Sequence, residues 1–165
     1  VLPAILIVAA AWDLTTFTIP NVFPAALVLL FLPVAGAAFF TANGFGFADI
    51  GWHFAACGVG LAAGLAFFAF GWIGGGDAKL FAATCLWLGW DQLLSYTLFA
   101  SLFGGVLTIG LLTLRSVPLP ASLFTHGWLV KLTDKRSGIP YGVALAAAAL
   151  FVWSQSDLFR IAAAS

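Results

Sequence analysis

Apolar residues run along this chain in long blocks, and polar residues gather at the block ends. The blocks lie at about 1–17, 22–40, 53–73, 78–90, 93–114 and 141–159. A helix that spans a bilayer needs about 20 apolar residues, so the pattern predicts an all-α, polytopic membrane bundle of about six transmembrane helices. Residues 1–165 are expected to form a single transmembrane domain. Pro20 and Asn21 mark the start of the second block, with Asn21 as a potential N-cap. The block at 78–90 is short. At about 1.5 Å per residue it reaches only about 20 Å, against a hydrocarbon core of about 30 Å. It either spans a thinned region or is re-entrant.

Composition agrees with the pattern. The chain is 63% hydrophobic and 7% charged, with a mean hydropathy of +1.12. Soluble domains carry about 25% charged residues. Net charge is zero, which gives no reason to expect nucleic acid; membrane lipid is the expected surrounding. The first block lacks a basic flank and a small-residue cleavage site, so it reads as a retained first helix rather than a signal peptide. The chain has no Met, even at position 1, which suggests that the native N-terminus is incomplete.

Lys and Arg orient the helices. Of Lys79, Arg115, Lys131, Lys135, Arg136 and Arg160, four fall in the polar stretch 115–138. That loop is therefore expected in the cytoplasm. Counting back through six spans puts the connections at 14–21 and 74–79 on the same face. The connections at 41–52 and 91–92, the N-terminus and Arg160 then lie outside, and Arg160 runs against the rule. Gly58, Gly60 and Gly64 in the third block, and Gly104, Gly105 and Gly110 in the fifth, are expected to let helices pack closely within the molecule.

The candidate chemistry is narrow. Cys57 and Cys85 sit in apolar runs without a CxxC or a His at metal spacing; they read as small buried hydrophobes, with no zinc and no disulfide. His53, at the outward end of the third block, and His126, in the loop, are expected to be solvated or interfacial. No GxSxG or SxxK is present. Trp72, Trp87, Trp90 and Trp128 lie near block ends and read as interfacial belt residues.

Every acid in the chain is an Asp: 13, 49, 77, 91, 134 and 157. Asp49, Asp91 and Asp157 fall on the outward side, and Asp134 sits beside Lys135 and Arg136. Only Asp13 and Asp77 share the cytoplasmic edge and an apolar setting. A carboxylate at that depth is costly and marks a functional site by default. Two carboxylates held close can share one proton. The ionised one can take a proton from water while the protonated one donates to a carbonyl, which is aspartic-protease chemistry without metal or nucleophilic side chain. Asp13 lies about one turn before the end of its helix and is expected to face inward. Asp77 follows Gly74, Gly75 and Gly76, which are expected to permit positive φ and close approach of a substrate backbone. Lys79 points away from Asp77 on an ideal helix and reads as an interfacial anchor or a substrate contact.

At these residues the chain resembles the type IV prepilin peptidases. The resemblance rests on Asp13 ahead of Ile19-Pro20-Asn21, on Gly74-Gly75-Gly76-Asp77-Ala78-Lys79, and on Ile139-Pro140-Tyr141-Gly142 at the start of the last block. It implies a membrane-embedded aspartic endopeptidase of the bacterial cytoplasmic (inner) membrane, active at the cytoplasmic face. Asp13 and Asp77 would be catalytic, with Gly74, Gly75, Gly76, Lys79, Pro20, Asn21, Pro140, Tyr141 and Gly142 binding substrate or shaping the site. The implied partners are type IV pilin and pseudopilin precursors, which lose a short basic leader, usually just after a Gly. Larger members carry a CxxC-bearing cytoplasmic domain and methylate the new N-terminus. These residues contain no CxxC and resemble the short subgroup of tight-adherence (Flp-type) pili, expected to be without that domain, so cleavage alone is expected, with no cofactor and no S-adenosylmethionine. Two other readings stand beside it: a presenilin-like or signal-peptide-peptidase-like protease, and a small proton-conducting membrane subunit.

Overall fold

The computed structural model describes residues 1–41, 45–116, 132–134 and 137–164. Most of the polar loop, with His126, Trp128, Lys131, Lys135 and Arg136, lies outside the described residues. Those that are described form an all-α bundle without strands. In chain order its helices are α1 (Leu2–Thr16), α2 (Val22–Thr41), α3 (Phe47–Ala69), α4 (Gly75–Leu88), α5 (Trp90–Ser116), α6 (Tyr141–Trp153) and α7 (Asp157–Ala164).

Each of the first five apolar blocks becomes one helix, with shifted ends. α3 begins at Phe47 rather than near 53, because Asp49 accepts the Gly46 N–H at 2.7 Å and caps the first turn. α5 extends through Arg115, which the charge pattern places in the loop. The last block breaks after Trp153 into two helices that meet at 55°; buried Ser156 accepts the Phe159 N–H and starts the second of them.

Three helical stretches, Val22–Phe40, Phe47–Ala69 and Trp90–Ser116, are long and apolar enough to cross a membrane alone. The bent pair α6–α7 is a fourth if taken as one span. α1 and α4 are shorter. For α4 the reason is its place in the bundle. Its residues from Ala78 to Leu88 are almost all buried, and it packs against α2, α3, α5 and α6. A helix screened from lipid by protein has no need to match the bilayer thickness. The outer helices present the lipid-facing side chains, among them Leu29, Leu65, Leu98, Val106 and Ile109.

The most extensive seam joins α3 to α4, and small residues permit it. A Cβ on Gly60 would lie 2.9 Å from Cys85 Sγ, and one on Gly64 would lie 3.1 Å from both Cα and Cβ of Ala78. Gly58, Gly105 and Gly110 face open space instead, so only part of the glycine pattern serves packing. Gly64→Val is expected to overpack this seam and cost about 1–3 kcal/mol. Gly58→Val is expected to change stability by less than about 0.5 kcal/mol. Thermal unfolding of the two variants in the same detergent checks the contrast.

Two side chains expected at the interface are interior. His53 is 3% exposed, and its Nδ1 is 2.7 Å from the Leu86 carbonyl oxygen. Gly89, at φ +78, brings the start of α5 against its ring. Trp87 is 2% exposed and donates its indole N–H to the Leu27 carbonyl at 2.9 Å. Buried Phe31 packs beside both rings. Each polar handle meets a backbone carbonyl in the core, which is how a buried ring satisfies its polar atoms. Trp72 and Trp90 are exposed, as an interfacial position requires.

From α1 to α6 the connections alternate between the two ends of the bundle, as the contacts of Ile19 with Gly76 and Gly142, of Phe68 with Gly75 and of Arg115 with Ser137 and Gly138 show. The C-terminal ends of α1, α3 and α5 therefore meet the N-terminal ends of α2, α4 and α6 at one end of the bundle. Asp49, Asp91 and Asp157 gather at the other end, around Gly89 and Trp90.

Candidate active site

Asp13 is 3% exposed and lies in the last turn of α1. The helix stops one turn later, at Phe17. Phe17 adopts φ 59 and donates its N–H to the Asp13 carbonyl at 2.7 Å. A left-handed conformation is unusual for a bulky residue. It reverses the chain so that Thr18-Ile19-Pro20 returns across the bundle end before α2 begins.

Asp77 occupies the first turn of α4. Gly74 is the N-cap, and its N–H donates to Asp77 Oδ2 at 3.1 Å. Gly75 and Gly76 belong to the helix, whose start lies ahead of the expected one. The expectation of positive φ at this glycine run is corrected: among the described glycines only Gly71 and Gly89 have it. The run instead provides clearance. A Cβ on Gly76 would stand 2.8 Å from the Ile19 carbonyl oxygen, and one on Gly75 would touch the Phe68 ring at 3.4 Å.

The start of α6 completes the arrangement. Gly142 donates its backbone N–H to Asp13 Oδ2 at 2.7 Å. A Cβ at Gly142 would meet Ile19 Cδ1 at 2.7 Å and Asp13 Oδ2 at 2.8 Å. Ile19 is thus wedged between the residue beside Asp77 and the residue bound to Asp13. Asp77 lies within electrostatic reach of the Asp13 carboxylate. Asp77 Oδ1 is buried and has no hydrogen-bond partner among the described residues.

A cavity of about 410 Å³ opens beside Asp77. Aromatic and small residues of α3, α4, α5 and α6 line it, with Thr97, Ser101, Thr108 and Tyr141 as its hydroxyl-bearing residues. Tyr141 closes one wall, its hydroxyl 3.3 Å from Thr108 Oγ1 and its ring against Gly104. The volume falls within the range of binding pockets. Among the described residues no cluster of three or more His, Cys, Asp or Glu could hold a metal ion. Cys57 and Cys85 are free thiols, and Cys85 is buried.

Most of the residues singled out from the sequence converge here. Pro20 and Asn21 lead into α2, and the Asn21 side-chain oxygen accepts from Lys79 Nζ at 2.8 Å. That bond ties α4 to the start of α2; Asn21 spends its side-chain oxygen on Lys79, while its backbone carbonyl accepts the Ala25 N–H. Pro140 is buried at the N-cap of α6. Sequence reasoning missed Ile19, which in the linear pattern is only an apolar neighbour of Pro20. It also missed Arg115, which in the linear pattern is only a topogenic charge.

Because the Lys79–Asn21 bond is exposed, its removal is expected to be mild. Lys79→Ala should lower turnover by less than about tenfold, in line with the modest worth of a solvated charged contact. Steady-state kinetics of the variant reads this directly.

Fold and site together define a helical integral membrane protein with two acidic side chains near one another at one bundle end. The model of the type IV leader peptidase family matches residues 1–109, and the chain belongs to that family. It is accordingly a protease, and both Asp13 and Asp77 lie in the matched stretch. Neither a curated protein nor a solved structure matches the chain significantly.

Proposed function

We propose that the protein removes the leader peptide of type IV pilin-like precursors as an aspartic endopeptidase, with Asp13 and Asp77 as its two catalytic carboxylates. The observation that carries this reading is the pairing of a buried Asp13, held by the Gly142 N–H, with an Asp77 whose Oδ1 is unpartnered among the described residues. The pair holds one proton between its carboxyl groups, because like charges in a desolvated site resist joint ionisation. The ionised member takes a proton from water, and the resulting hydroxide attacks the scissile carbonyl carbon. The protonated member donates to the carbonyl oxygen. Collapse of the tetrahedral intermediate returns the hydroxyl proton to the second carboxylate and expels the amine, which takes the proton that the first member drew from water. The cavity beside Asp77 receives apolar substrate residues next to the cut.

The site lies at the cytoplasmic face of the bacterial inner membrane, with the N-terminus outside. Lys79 and Arg115 support this orientation, since both stand at the site end of the bundle. The Flp-type precursors are the favoured substrates, and cleavage proceeds without N-methylation by these residues, which contain no CxxC pair. Incubation of a pilin precursor with the protein in liposomes tests the reading. A single cut that releases the basic leader, and no methyl transfer, is the expected result. An intact precursor, or cutting at scattered sites, would defeat it. Labelling of single cysteines at positions 21 and 91 from the two sides tests orientation, with 21 expected to react from the cytoplasm.

A further inference from the structure

We propose that Arg115 is a positioning residue for Asp13, acting through the segment that carries Gly142. The inference rests on the two-aspartate reading above and adds a residue to its machinery.

Arg115 lies in the last turn of α5 and is 9% exposed. Its guanidinium makes three separate hydrogen bonds to backbone carbonyls. Nε donates to Leu132 at 2.8 Å, Nη1 to Ser137 at 3.0 Å and Nη2 to Gly138 at 2.9 Å. The planar fork therefore grips two pieces of chain, one on each side of residues 135–136. A lysine carries its three donors on one tetrahedral nitrogen and cannot reproduce the planar spread of three separate nitrogens. The C-terminal end of α5 also favours a cation.

The chain after Gly138 is stiff. Pro140 is buried with its φ set by the ring. The Tyr141 N–H donates to the Ile139 carbonyl at 2.8 Å, and the Val143 N–H donates to the Pro140 carbonyl at 3.2 Å. Between those two donors lies the Gly142 N–H, which meets Asp13 Oδ2 at 2.7 Å. A rigid path of a few residues thus joins the guanidinium to the carboxylate. If the anchor at Gly138 slackens, the Gly142 N–H loses its aim. A simple loop tether would need neither three bonds nor this stiff continuation to Asp13.

The test compares the full chain with Arg115→Gln and Arg115→Lys in liposomes, using a pilin precursor as substrate. It measures kcat and KM, thermal stability, and the infrared carboxyl band of Asp13 isolated by subtraction of the Asp13→Asn spectrum. Arg115→Gln is expected to lower kcat by about 10- to 100-fold, the scale of a small misplacement of a reacting group. KM should stay within about twofold, and the Asp13 band should shift. Arg115→Lys should recover only part of the loss. A kcat that falls only with the folded fraction, with the band unmoved, would make Arg115 a structural tether and overturn the proposal. So would wild-type kcat in both variants. If Arg115→Gln fails to fold, Arg115→Lys decides alone: a lowered kcat with a shifted band supports the role, and a wild-type band refutes it. Asp13→Asn run in parallel separates the two levels. Cleavage by that variant would sink the two-aspartate reading itself, whereas its inactivity beside fully active Arg115 variants would sink only the positioning role.

Discussion

Asp13→Asn and Asp77→Asn are each expected to lower precursor cleavage by about 10⁴-fold or more, and the double variant is expected to lose no more than either single one. Residues that act as one unit are strongly non-additive, and one carboxylate without the other can neither share a proton nor complete the transfer. The structure explains why both variants should still fold. An Asn at position 13 keeps a carbonyl oxygen that can accept the Gly142 N–H now made to Asp13 Oδ2 at 2.7 Å. At position 77 the side-chain oxygen can keep the bond from Gly74. Burying Asp77 Oδ1, unpartnered among the described residues, costs free energy in the wild type. In Asp77→Asn the amide nitrogen takes the place of that oxygen and is equally unpartnered among the described residues, so the melting temperature should stay close to that of the wild type. Cleavage assays paired with thermal unfolding of the same preparations give both readouts. Residual cleavage above about a hundredth of the wild-type rate in either variant would remove that Asp from the chemistry.

Gly142→Ala is expected to cut kcat by about 10²-fold while leaving a folded protein. The added methyl would lie 2.7 Å from Ile19 Cδ1 and 2.8 Å from Asp13 Oδ2, closer than real contacts allow. Both neighbours are held: Ile19 is wedged against Gly76, and Asp13 is fixed in the last turn of α1. Something must move, and the Asp13 carboxylate is the group whose displacement matters. A misplacement of about 1 Å can cost about 10²-fold in rate. Gly110→Ala meets nothing within 4 Å and should retain wild-type kcat. Steady-state kinetics of the two variants provides the comparison; equal rates would show that the Gly142 contact is slack.

The helical membrane class was legible because it depends on composition summed over long stretches. Asp13 and Asp77 were legible because a carboxylate within apolar surroundings stands out, and because both sit beside breaks in the pattern. Their shared end follows from counting alternating helices. The chain order Asp13-Ile19-Pro20-Asn21, then Gly74 to Lys79, then Pro140-Tyr141-Gly142 also marked the segments that converge. Helix ends were less legible. The start of α3 depends on a cap from Asp49 to Gly46, and the break after Trp153 falls at the short polar stretch Ser154-Gln155-Ser156-Asp157, which the linear pattern merges into one apolar block.

Sequence alone determined that this protein lives in a membrane, that its segments are helical and that two aspartates are the candidates for its chemistry by elimination. Only the tertiary structure decided how they are held. The Gly142 N–H reaches Asp13 across 129 positions of sequence, Ile19 fills the gap beside Gly76 and Gly142, and Arg115 grips carbonyls far along the chain. It also decided that His53 and Trp87 are interior and that α4 is the sheltered central helix. Hydropathy is a property of local segments and survives in the linear pattern. Hydrogen bonds to backbone carbonyls, and clearances of a single methyl group, depend on which segments meet, and residue type does not encode that meeting.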